Sequence, residues 1–166
     1  MLSVAQVQLA RKIRLSRSIK LFDMLNHPQY SKYVEFPGEG VLPLLEEYAE
    51  DILQPIWDKF GRLLILSGYR CPALNRQLSK AENSVHQCMY REVVIGAAAN
   101  FVPLDADIEE VWHWASALPK STISILYRRP AEVANNAFIH IGMHKGTVPR
   151  KKLEKYLTND YRFFES

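Results

Sequence analysis

The stretch Ser67–Arg76, SGYRCPALNR, follows directly on the apolar run RLLIL at residues 62 to 66. Read together as RLLILSGY, residues 62 to 69 have the length and composition of a buried strand, bounded upstream by Gly61. Pro72 lacks a backbone N–H and has φ preset near the helical value. It therefore suits the first position of a short helix over residues 72 to 79. A strand leading through SGYR into a helix is the frame on which the rest of the chain is arranged.

Upstream, Leu42, Leu45, Ala49, Ile52, Leu53, Ile56, Trp57 and Phe60 recur at helical spacing, with Gly61 placed to stop the helix and Pro55 to kink or divide it. Residues 27 to 40, HPQYSKYVEFPGEG, read as an ordered loop or short turns. Residues 4 to 25 set Val4, Val7, Ile13, Leu15, Ile19, Phe22 and Leu25 among basic side chains. That imperfect helical pattern suits a docking arm, or a basic helix for a partner or membrane surface.

Downstream, VVIGAAANFV at 93 to 102 reads as a strand. Asp107 with Glu110 makes a capping-box-like start for a helix to about Leu118. Strands follow around 122 to 128 and 137 to 143, then a final helix over RKKLEKYL at 150 to 157 and a tail with Tyr161, Phe163 and Phe164. The expected fold is α+β, a small, mainly antiparallel sheet packed with helices in a single domain. It divides into a basic helical arm and loop (1–40), a core (41–146) and a C-terminal helix with an aromatic tail (147–166).

With 166 residues and 48% hydrophobic side chains the chain can bury one real core. A net charge of +3 is too small to argue for nucleic acid as a partner. Cys71 and Cys88 make no disulfide framework and are expected as reduced thiols. The N-terminus has no signal-peptide pattern, and no run approaches the ~20 apolar residues of a membrane span. The expectation is a protein made in the cytoplasm and carried onward, if at all, by a lysis system or a virion.

Four pieces in order, SGYRCPALNR, Ser84-Val85-His86, Gly96–Asn100 (GAAAN) and Phe138-Ile139-His140, resemble the D-alanyl-D-alanine carboxypeptidases of the Hedgehog/DD-peptidase superfamily. The likeness is to the branch that includes phage endolysins, and Leu53-Gln54-Pro55, Pro72 and Asn75 also match it. It covers roughly residues 41 to 146. Family members read SGYRSP..N, then S-x-H-x-x-G-x-A-A-D, then a glutamate shortly before a strand with W-[IV]-H. The resemblance implies a Hedgehog/DD-peptidase-like fold, with Arg70 and Ser84 at the substrate and zinc held by His86, the Asn100 position and His140. A catalytic zinc needs three protein ligands and an open position for water, and hydrolysis needs a carboxylate to take the water proton.

Three departures bear on that chemistry. Asn100 stands where the family has aspartate, and a neutral amide is a weaker zinc ligand. The glutamate expected near Tyr127 and Arg128 is missing from ILYRRP, and Arg128 or Arg129 there would repel a dication. Glu132 is the nearest substitute. Fourteen positions separate His86 from Asn100, more than the family motif allows, so the CMYREVV segment is an insertion at the edge of the cleft.

Bland roles stand beside these. His86 and His140 would serve as hydrogen-bonded histidines, Arg70 as an organiser of its loop, and Asn100 as a bridge between backbone groups. Cys88 suits a small buried thiol or a soft replacement ligand. His144 is expected in a turn, and His113 at a helix surface.

Three functions follow. The first is a catalytically inactive pseudoenzyme serving as a structural or assembly protein among other structural proteins, for which a phage virion component (capsid, tail or baseplate) is one form. The second is an active zinc carboxypeptidase or endopeptidase on peptidoglycan stem peptides, with Glu132 as base. The third is a non-catalytic binder of cell-wall peptides through Arg70.

Overall fold

Five strands make one mixed sheet, and helices lie on one of its faces. A computed structural model describes residues 1–79, 81–128, 137–146 and 149–156. In chain order come α1 (Val4–Lys12), α2 (Leu21–Leu25), a 3-10 segment (Pro28–Tyr33), α3 (Leu42–Tyr48), α4 (Gln54–Phe60), β1 (Leu63–Ser67) and α5 (Pro72–Leu78). A 3-10 turn (Val85–Gln87), the hairpin β2 (Met89–Tyr90) and β3 (Val93–Val94), β4 (Gly96–Pro103), α6 (Ile108–Ala115), β5 (Ile123–Arg128), β6 (Ala137–His144) and β7 (Lys151–Tyr156) follow. The sheet order is β1-β4-β6-β5-β7, antiparallel except for the β5–β7 pair.

Pro55 divides the long helical pattern as its chemistry requires. The turn Ala49–Leu53 widens so that Gln54 N donates to Ala49 O, five residues back, and α4 then restarts with the proline in its first turn. Gln54 also anchors the N-terminal arm. Its Oε1 accepts from Ser16 Oγ at 2.9 Å and from Ser18 N at 2.8 Å, and its Nε2 donates to Ser18 Oγ at 3.1 Å. Ala10, Leu15, Ile19 and Leu21 are at most 1% exposed within the one hydrophobic core, so the arm docks on its own protein.

Alternation on β4 decides what each face does. Ala97, Ala99 and Phe101 enter the main core beneath α3, and the small side chains of Ala97 and Ala99 leave room for Tyr48, which donates to Ile141 O at 2.8 Å. Ala98 and Asn100 point to the opposite face. On that face register aligns Ser67, Asn100, His140 and Ile125 in a row across four strands.

The expected final helix over residues 150 to 157 is instead β7, added parallel to β5. The alternation Lys151, Leu153, Lys155 sets three side chains on the face of the His140 row, and an open β5 edge outweighs the helical propensity of lysine and leucine. His144, expected in a turn, is the last residue of β6, paired with Gly96. Among the described residues, no helix is long and apolar enough to cross a membrane.

Candidate functional site

The site grows from the SGYR turn. Gly68 is required there because a Cβ would lie 2.7 Å from both Cα and O of Met24, whose carbonyl accepts from Tyr69 N. The turn thus clamps onto α2. It leaves Gly68 O free to accept from His86 Nδ1 at 2.8 Å, while Arg70 N donates to His86 O at 2.8 Å. His86 is thus stitched to SGYR by a side-chain and a backbone hydrogen bond. Arg70 is 3% exposed, and its Nε donates to Ser67 Oγ at 2.9 Å.

One strand further in, His140 Nδ1 donates to Asn100 Oδ1 at 2.7 Å across the β4–β6 register. The rings of His86 and His140 lie 5.1 Å apart, tilted by 52°. With both Nδ1 protons committed, each ring keeps its lone pair on Nε2. Farther along β6, Thr122 Oγ1 donates to Gly142 O at 2.9 Å and accepts from His144 Nδ1 at 2.8 Å.

Electrostatics keep the imidazoles neutral. Burial, then the Arg70 guanidinium, then His140 hold His86 well below the usual 6.5. Burial brings His140 down to about 3, with Arg70, His144 and Lys155 adding repulsion. His27 joins the group as a buried ring lowered to about 4 by burial and by Arg70.

The region expected to carry the glutamate resolves into two opposite directions. Tyr127 is on the His140 face, stacked on Phe138 at 4.8 Å between ring centroids, with Lys155 Nζ 5.9 Å above its ring. Arg128 points to the helix side, where it pairs with Glu109 of α6 and with Glu154. The expectation that Arg128 faces the cleft is therefore corrected: the charge turned toward His140 from this end is Lys155. Arg129 and Glu132 lie outside the described residues.

Cys88 enters the main core, fully buried, and burial pushes its thiol up to about 12. A protonated core thiol is a poor metal ligand. Ser84 is half-buried just before the 3-10 turn of His86. Among the described residues, no three His, Cys, Asp or Glu side chains gather into a group that could hold a metal. A zinc ion between His86, Asn100 and His140 would meet two imidazoles and a neutral amide, a set that does not fit a three-ligand hydrolytic centre.

The segment after His86, read above as an insertion, folds as the β2–β3 hairpin. Its two-residue turn places Arg91 at φ 48° and Glu92 at φ 66°, with Val93 63% and Val94 40% exposed beside it. Sequence reasoning missed the anchoring role of Ser67, the buried His27 and the inward Lys155. Strand alternation carried a signal for Tyr127 against Arg128, but nothing in residue spacing marked His27.

Comparison with family models, with characterised proteins and with solved structures returns no match. The chain is defined by its architecture and by this row of polar side chains.

Proposed function

We propose that the protein is a degenerate relative of the Hedgehog/DD-peptidase-type zinc peptidases that has given up hydrolysis and serves as a structural or assembly protein, a virion component being one form of that role. The observation that carries this reading is the direct Asn100–His140 hydrogen bond. A metal-ligating carboxylate and imidazole cooperate through the ion between them, whereas an amide can close on the imidazole by itself. Tyr127 and Lys155 beside His140 support the same reading, because neither supplies the anionic base that a metal-bound water requires. The hairpin adds an apolar ridge, Val93 and Val94, of the kind covered when neighbouring subunits meet.

The test is metal analysis of the purified protein together with incubation on a stem peptide ending in D-alanyl-D-alanine. The expected result is no stoichiometric zinc and no cleavage. About one equivalent of zinc with release of D-alanine would overturn the reading in favour of an active peptidase. Saturable binding of the uncut peptide would move the assignment to a cell-wall peptide binder.

A further inference from the structure

Charge is distributed unevenly along the chain. Residues 1–25 hold five of its 21 lysines and arginines but only one of its 18 aspartates and glutamates, so this arm carries +4 and the remaining residues together −1. The inner side of the arm is spent on the core through Ala10, Leu15, Ile19 and Leu21. Its cations are all on the outer side, exposed to solvent.

The fold gathers these charges. Leu21 N donates to Ile13 O and Leu15 N to Ile19 O, which closes residues 13–21 into a turn and pairs Arg14 with Lys20. That pair lies directly beyond the last turn of α1, where Arg11 and Lys12 stand. Arg14 also donates to Arg17 O at 2.7 Å, holding the turn closed. Arg17 is paired with Asp58, and the Asp23 carboxylate accepts from Lys20 N at 2.8 Å. Arg11, Lys12, Arg14 and Lys20 form no ion pair among the described residues. The dipole at the C-terminus of α1 accounts for Arg11 and Lys12, but not for Arg14 and Lys20 beside them.

Apolar side chains continue the same surface. Val4 is 75% exposed and Leu9 48%, and Ala5 between them is exposed as well. Ala5, Leu9 and Lys12 follow at helical spacings of four and three, so they form one stripe along α1 that ends at the cations. A phosphodiester backbone would use the cations and leave Val4 and Leu9 in water. An anionic bilayer uses both, because its headgroups attract lysine and arginine while its acyl boundary takes up apolar side chains.

We propose that the outer side of the N-terminal arm is a peripheral docking surface for an anionic lipid bilayer, with Val4 and Leu9 entering the interface and Arg11, Lys12, Arg14 and Lys20 meeting the headgroups. The test is co-sedimentation of the full chain with vesicles of phosphatidylcholine alone and of phosphatidylcholine mixed equally with phosphatidylglycerol. The mixed vesicles are expected to bind at least about tenfold more tightly, and less so as salt is raised. A lysine beside an anionic surface contributes about fivefold in affinity, so Lys12→Gln with Lys20→Gln should cost about 25-fold. Val4→Ser with Leu9→Ser should cost about tenfold and leave the salt dependence as it is.

Urea unfolding verifies that each variant is folded, and should either fail, the parent chain on the two vesicle types decides. Equal binding to both vesicle types, no binding to either, or full binding by the lysine variant would overturn the assignment. Binding undiminished by the Val4 and Leu9 substitutions would overturn it too, and a tighter hold on a mixed-sequence DNA duplex would make the arm a nucleic-acid surface instead. None of these outcomes depends on whether the protein binds zinc or cleaves a peptide.

Discussion

The two sides of the His140 row are built from different kinds of contact. On the β1 side, Ser67, Gly68, Arg70 and His86 form a closed set of hydrogen bonds clamped onto α2. On the β5–β7 side, the Tyr127–Phe138 stack and Lys155 lie on the face of the row. The difference shows that the polar residues of the SGYR side are architectural: they fasten a strand, a helix and a turn together. The β5–β7 side is held by ring stacking on one face and by the Arg128 ion pairs on the other, with no polar clamp of that kind around His140 among the described residues.

Acid should expose the β1 side first. His27, His86 and His140 are neutral in the folded protein at pH values where the unfolded chain, near 6.5, takes up protons. Stability is therefore fully present above pH 6.5 and is lost as pH falls, toward about 4 for His27 and about 3 for His140. Each group fully engaged in that window contributes a slope of about 1.4 kcal/mol per pH unit. Urea unfolding followed from pH 7 to pH 5 should show a steep fall, and His140→Gln should flatten it. A flat profile in the parent protein would mean that the three rings are not kept neutral together.

Gly68→Ala tests the clamp by itself. The added methyl would meet the Met24 backbone, which has no flexible end to move aside. A loss of about 3 kcal/mol, or failure to fold, is expected in chemical denaturation. A loss below about 0.5 kcal/mol, within the range of an ordinary surface substitution, would show that the SGYR turn is not held against α2.

Restoring a carboxylate tests the other side. Asn100→Asp supplies one anionic ligand, and a second carboxylate must enter from the His140 face. Strand alternation makes Tyr127→Glu or Lys155→Glu the productive partner, whereas Arg128→Glu would point toward α6. Either productive double variant should gain about 100-fold in zinc affinity by isothermal titration, about 2.7 kcal/mol. Asn100→Asp with Arg128→Glu should gain no more than Asn100→Asp alone. Equal gains from positions 127 and 128 would break the face assignment.

Much of this arrangement was legible in the sequence, for identifiable reasons. Gly61, Pro72 and Asp107 mark boundaries by local chemistry, so β1, α5 and α6 could be read from residues close together in the chain. The apolar runs of β4 and β6 are long enough to declare themselves. RKKLEKYL was misread because its lysines and leucine suit either period; what decides for a strand is the unpaired edge of β5, a tertiary fact. The His86–SGYR stitching was not legible, because it runs between backbone and ring atoms brought together only by the fold. Nor was His27, because its approach to Tyr69 and Arg70 depends on how α2 docks.

The smallest expected effect lies in the hairpin, where the contrast between the two sides can be sharpened without touching either. A two-residue turn with both residues left-handed is ordinarily built from Asn-Gly, because a Cβ in that conformation costs about 1 kcal/mol per residue. Arg91 and Glu92 bear that cost here. The Arg91 guanidinium lies 5.1 Å from the Tyr90 ring, and Tyr90 Oη donates to Glu82 at 3.0 Å, a small return for two strained residues. Arg91→Asn with Glu92→Gly should therefore raise stability by about 1 kcal/mol and the melting temperature by roughly 2–4 °C. The His140 resonances should stay in place. If the double variant is stabilised yet loses a partner that the parent chain holds, the strain is kept for the surface it presents. If it is destabilised, the hairpin belongs with the β1 side as architecture and is part of what keeps His86 in place.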